Sequence, residues 1–198
     1  MRTKLIVAAL AATFACGSAL AMTETEYKAQ KSKIEADYKV MKERCKGMTG
    51  NTKDICQAEV KGEHEIAEKE LTANYKPSDK HQYDLRIAKA DASYNVAKEK
   101  CDDLKGNDKD VCVKEAKAVH TAAKANAKVS KTVATQSTNP STTITGENKS
   151  VEKIADAKRD ANNDKKEAVY KVAKEKCDAL SGQAKDDCIA KAKLTYGM

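Results

Sequence analysis

The sequence is poor in the residues that build thick cores and tight turns. Trp is absent, Phe occurs once (Phe14), and aromatic residues make up 4% of 198. Proline occurs twice and glycine eight times, too few for the many turns of an all-β chain. From residue 22 onward there are only 23 Leu, Ile and Val. That is too little bulky aliphatic volume for a multilayer α/β enzyme. Alanine is the largest part of the 40% hydrophobic content, and charged residues reach 34%. These absences leave helix, coiled coil or disorder. P-loops, dinucleotide-binding glycine patterns, nucleophile elbows and Cys-x-x-Cys motifs are all missing.

Long apolar runs are missing too, with one exception at the start. Arg2 and Lys4 precede the run Leu5 to Phe14, in which Thr13 is the one polar residue, and Ala19-Leu20-Ala21 follows. A basic n-region, a short apolar stretch and a small-x-small site are the layout of a secretory signal peptide, cleaved after Ala21. The run is too short to span a bilayer, and nothing after it approaches the ~20 residues required. The expected mature chain has 35 basic and 30 acidic residues, net +5. Its basic residues are 32 Lys and three Arg (Arg44, Arg86, Arg159), interspersed with the acids. That pattern reads as a solvated helix surface with opposite charges one turn apart. It offers neither the clustered Arg nor the aromatics of a nucleic-acid binder.

The mature chain carries three copies of one unit: YKVMKERCKGMTGNTKDIC from Tyr38, YNVAKEKCDDLKGNDKDVC from Tyr94 and YKVAKEKCDALSGQAKDDC from Tyr170. Ten residues separate the cysteines of each pair, Cys45/Cys56, Cys101/Cys112 and Cys177/Cys188. Recurrence at one spacing marks internal duplication. The first cysteines of successive copies are 56 and then 76 residues apart. The excess coincides with SKTVATQSTNPSTTITGENK, rich in Ser, Thr and Asn, which reads as a flexible linker. The expected organisation is a signal peptide over 1–21, two repeats over 22–129, a linker over 130–149, and a third, separate repeat over 150–198.

Within each unit apolar residues recur at spacings of four and three: Ile34, Tyr38, Met41, Cys45, Met48 in copy one and Ala90, Tyr94, Ala97, Cys101, Leu104 in copy two. Copy three has Lys166 at the first position and starts at Tyr170, with Ala173, Cys177 and Leu180 following. This narrow stripe is the mark of helices that pack in pairs. Gly50, Gly106 and Gly182 suit a helix C-cap with positive φ, and Asn51, Asn107 or Asp108 can cap a second helix. Val60, Ala67 and Leu71 continue that helix in copy one, and Ala116, Ala123 and Ala127 match them in copy two. Asp54, Asp110 and Asp186, each preceded by Lys, are expected in its first turn, facing the helix dipole. Thr23 and Glu26 form a capping-box pattern, and Pro77-Ser78-Asp79 separates the second helix from the third.

The unit is therefore an αα-hairpin whose two cysteines face each other across the bend. Six cysteines survive signal removal, an even number in an oxidising compartment. Three local disulfides are expected: Cys45–Cys56, Cys101–Cys112 and Cys177–Cys188. Each would contribute about 3 kcal/mol to a unit whose alanine-rich core is thin. His64 and His120 occupy equivalent places eight residues after the second cysteine. They read as polar residues on exposed helix faces, so catalytic residues, cofactor and metal are all expected to be none.

The signal, the YKVAKEKCD and GNxKDVC blocks and the Ala/Lys/Glu-rich helices resemble small exported repeat proteins of Gram-negative bacteria, often labelled hypothetical or TolA-like cell-envelope proteins. The resemblance implies a periplasmic address and brings no catalytic residues. The fold expected is all-α: long amphipathic helices in disulfide-stapled αα-hairpin repeats, with a flexible linker. The function expected is a non-catalytic periplasmic interaction or envelope-support element. One alternative is a Lys-rich binding module for anionic envelope polymers or lipids. Another is a thiol-based redox-responsive or metal-buffering protein. The partner expected is an envelope protein or anionic envelope component, with no nucleic acid and no transmembrane segment after cleavage. Self-association through the seams, and whether the repeats fold back or extend as a rod, are left open by the sequence.

Overall fold

The computed structural model describes residues 22–138 and 144–198, the side chains of Thr138 and of 144–148 excepted. The expected signal peptide, including Cys16, lies outside the described residues. Six helices follow one another: α1 (Glu24–Lys46), α2 (Gly50–Tyr75), α3 (Asp79–Cys101), α4 (Gly106–Thr138), α5 (Ile144–Cys177) and α6 (Gly182–Tyr196). Among the described residues there is no strand, and no helix is long and apolar enough to cross a membrane.

The helix starts follow from local chemistry. The Thr23 hydroxyl accepts from the Glu26 N–H at 3.2 Å, and the Glu26 carboxylate accepts from the Thr23 N–H at 2.8 Å. This completes the capping box at α1. Ser78 Oγ accepts from the His81 N–H at 3.1 Å and starts α3 just beyond Pro77.

The glycines and asparagine of the bend behave differently from the expected caps. Gly50, Gly106 and Gly182 do have positive φ (57°, 57° and 56°), but they open the second helix rather than close the first. Asn51 caps nothing at α2. Its amide Nδ2 donates at 2.8 Å to the Glu99 carbonyl in the last turn of α3, which also accepts the Asp102 N–H at 3.0 Å. Asp54, Asp110 and Asp186 fall beyond the first turns of α2, α4 and α6, because those helices begin at the glycine, and Asp108 is the acid in the first turn of α4. The lysines beside Asp110 and Asp186 instead reach back across the bend. Lys109 meets Asp102 at 3.0 Å and Lys185 meets Asp178 at 2.8 Å.

Each pair of consecutive helices forms an antiparallel hairpin. Partners advance along one helix as they retreat along the other. Between α1 and α2, Tyr27 stacks on Tyr75, Tyr38 lies tilted against His64, and Cys45 bonds Cys56. The disulfides Cys45–Cys56, Cys101–Cys112 and Cys177–Cys188 span Cα separations of 5.6, 5.6 and 5.7 Å, inside the range the bond requires. Cys45, Cys101 and Cys177 are also the largest fully buried side chains. The rest of the core is mostly alanine, with Val60, Leu71, Leu85 and Val172, and among the described residues no charged or polar residue is buried.

Among the described residues each helix packs only on its chain neighbours. The repeats are thus arrayed side by side, as in a solenoid, and all three disulfides lie at one end of the array. This needs two seams on the inner helices. In α3, Ala90 and Cys101 face α4, while Ala92 lies against Gly62 of α2. A Cβ placed on Gly62 would lie 2.6 Å from that of Ala92, so glycine sets how closely α2 and α3 approach. The last positions of the expected stripe do not join the core. Met48, Leu104 and Leu180 lie in the bends and are exposed.

The linker over 130–149 requires correction. Residues 130–138 continue α4 and 144–149 begin α5, while 139–143 lie outside the described residues. Hydroxyls in this stretch bond backwards within the helix: Thr132 Oγ1 donates to the Lys128 carbonyl at 3.1 Å and Ser137 Oγ to that of Val133 at 2.9 Å. Lys131 sits over the Tyr83 ring, 4.6 Å from its centroid. Tertiary contacts with α3 thus outweigh a composition poor in helix formers. The third repeat is not separate either. α4 packs on α5 more extensively than any other pair does, with Lys176–Glu115 at 2.7 Å and Lys114–Glu175 at 3.4 Å between them.

Two outcomes follow from this packing. Replacing Cys45 and Cys56 together by Ser should lower the stability measured by urea unfolding by about 3 kcal/mol, the loop-closure entropy of a short cross-link. Gly62→Ala gains about 1 kcal/mol of helix propensity but overpacks a seam at a cost of about 1–3 kcal/mol, so the melting temperature should fall. Gly62→Ala combined with Ala92→Gly should cost less than the two single losses added, a coupling that a double-mutant cycle reads directly.

Candidate functional site

Two features stand out on the repeated scaffold. The first is a pair of equivalent imidazoles, one in each of the first two hairpins. Each histidine projects from the second helix toward a tyrosine on the first. Tyr38 and His64 have ring centroids 4.3 Å apart, and Tyr94 and His120 4.7 Å. One turn before each tyrosine, at matching positions, stand Glu35 and Asp91. His120 Nε2 engages Asp91 Oδ1 at 2.5 Å. His64 Nε2 lies 3.6 Å from Glu35 Oε1, too far for a hydrogen bond, and is buried without a partner. His64 and His120 are each 17% exposed by side chain, so they are not the solvated surface residues the sequence suggested. Sequence reading aligned the two histidines but missed their acidic neighbours. The signal was available, since Glu35 and Asp91 both lie ten residues before the first cysteine of their copies.

The second feature is a groove of about 530 Å³ between α3 and α4. Ala90, Tyr94, Ala97, Ala116, Ala123 and Ala127 line it, with Val119 beside them. Arg86, Lys89 and Ser130 stand toward the end away from the disulfide. The duplication explains the opening. Where copy two has Ala90, Ala97, Ala116 and Ala127, copy one has Ile34, Met41, Val60 and Leu71. The same helix pair, with its side chains shortened, leaves apolar surface uncovered. Val119 is 68% exposed there.

The six cysteines expected as staples are all paired. Among the described residues no serine or cysteine is hydrogen-bonded to His64 or His120, the arrangement an activated nucleophile requires. Most lysines that make ion pairs do so with acids on their own helix or the next one, at exposed positions. Such pairs add little each. Comparison with protein-family profiles, with curated proteins and with solved structures finds no match to this chain. The functional reading therefore rests on the residues and their geometry.

The bend of the third repeat allows a check on the cross-hairpin ion pairs. The hydrogen bond from Lys185 holds the Asp178 carboxyl below its ordinary 3.8, and the bond to Asp178 holds the Lys185 ammonium above its ordinary 10.5. A lowered acid stabilises the fold above its unfolded pKa and ceases to do so as pH falls through the folded value. A raised base stabilises it below its unfolded pKa and ceases to do so as pH rises through the folded one. The pair thus acts between about pH 4 and pH 10. Carboxyl titration followed by NMR should place Asp178 below 3.8, and Lys185→Gln should bring it back toward that value.

Proposed function

We propose that the protein is a non-catalytic helical repeat element of the cell envelope that works by binding through its helix surfaces. Its place would be the periplasm, reached by a signal cleaved after Ala21. The groove between α3 and α4 carries this reading. Copy two has alanines where copy one has Ile34, Met41, Val60 and Leu71, and the apolar surface so exposed has a free-energy reason to be covered. Three disulfides in a chain of thin helical interfaces suit an oxidising compartment, where such bonds persist.

Arg86 and Lys89 at the groove favour a variant of this reading, in which the bound component is anionic, an envelope polymer or a lipid. Salt separates the two, since attraction between exposed charges is screened with a Debye length of about 8 Å at physiological ionic strength. A photoreactive residue at Val119, in cells exporting the protein, should give discrete cross-linked products. Ala90→Ile with Ala97→Met refills the groove with the residues of copy one and should abolish them while leaving the helical circular dichroism unchanged. Products that persist in the refilled variant would place the binding face elsewhere.

A further inference from the structure

The first hairpin holds a set of donors that the second does not. Glu35 of α1 and His64 and Glu68 of α2 bring two carboxylates and one imidazole together, with ligand atoms within 4.8 Å of one another. His64 and Glu68 are one turn apart and share the α2 face toward α1. The Tyr38 ring lies against the imidazole and restricts its rotation. His64 Nε2 is shielded from solvent and has no hydrogen-bond partner, a costly state for a polar atom. Glu68 makes no ion pair with a lysine among the described residues.

The duplication supplies the comparison. At the same three positions the second hairpin has Asp91, His120 and Lys124. There His120 Nε2 is taken up by Asp91, and the third position is itself a cation. The first hairpin replaces that cation with a second carboxylate, and its imidazole nitrogen is left over. In the third copy Tyr196 stands at the histidine position.

We infer that Glu35, His64 and Glu68 form a binding site for a divalent transition-metal ion of the zinc type. A dication would neutralise both carboxylates and give Nε2 the partner it lacks. One imidazole nitrogen with two carboxylate oxygens matches the preference of Zn²⁺, with water completing a tetrahedron. Ca²⁺ and Mg²⁺ select larger, all-oxygen sets. Metal bonds of about 2.0–2.2 Å require the donors to close by about 1 Å. Glu35 can do this, its side chain being 43% exposed. The ion would tie α1 to α2 roughly 15 Å along the hairpin from the Cys45–Cys56 staple, at the rise of a helix. Among the described residues α1 packs on α2 alone, so a second tie would help to hold it there.

Calorimetric titration of the untagged, disulfide-intact mature chain with Zn²⁺ tests this, with Mg²⁺ as the comparison ion. One Zn²⁺ per chain is expected, with melting temperature raised by Zn²⁺ and not by Mg²⁺. His64→Ala and Glu68→Gln should each weaken binding by at least about tenfold, while His120→Ala leaves it unchanged. Glu68→Gln is close to isosteric, so retained circular dichroism separates loss of a ligand from loss of the fold. Lys124→Glu should create the missing set in the second hairpin and raise the stoichiometry to two. The inference is overturned by no saturable Zn²⁺ binding, by equal binding of Mg²⁺, by wild-type affinity in His64→Ala, or by a stoichiometry of one in Lys124→Glu.

Discussion

Close approach between alanine-lined helices is the constraint on which the rest of the structure depends. Small side chains let two helices come near but bury little apolar area, so each interface is weak by hydrophobic transfer alone. The chain answers with one covalent bond per hairpin, placed where the helices converge at the bend. Because Cys45, Cys101 and Cys177 are also the most completely buried large side chains, the cross-link and the core are the same atoms at these points. The positive-φ glycine five residues later turns the chain so that the second cysteine returns against the first. Gly62 against Ala92 extends the same logic between hairpins, where a single methyl group is already too much.

A scaffold built this way tolerates divergence on its side chains while its backbone repeats. The disulfides keep each hairpin's register, so a position in one copy has a defined counterpart in the next. Exchanging Ile34, Met41, Val60 and Leu71 for alanines leaves a groove rather than a collapsed pair. Where copy one has Glu68 copy two has Lys124, yet the imidazole of each copy stays against its tyrosine. The copies are thus alike in what holds them together and different in what they present.

Much of this was legible in the sequence. The threefold spacing of the cysteines, the capping box at Thr23 and the break at Pro77 located the hairpins, because each is set by local covalent or hydrogen-bond geometry. What failed to show was nonlocal. The second seam of α3 has its closest approach at Ala92 against Gly62, small residues that a hydrophobic stripe of large ones does not reveal. The run from Ser130 looked like a linker because its residues favour helix weakly, and its helical state depends on α3 lying alongside, through Tyr83 and Asp79. The imidazoles were seen but not their acidic neighbours, since a residue ten places before a cysteine has no meaning until the hairpin folds it against the other helix.

The side-by-side arrangement also bears on how such a chain can work. Each inner helix spends two faces on its neighbours and keeps the other two in solvent, so a few residues generate a large surface for their number. With all bends of one kind at one end, Met48, Leu104 and Leu180 recur there as a row of exposed apolar side chains beside the staples. A surface of repeated edges and grooves is what this architecture produces from few bulky residues, and the changes between copies fall on that surface, at the groove of the second hairpin and the acidic cluster of the first.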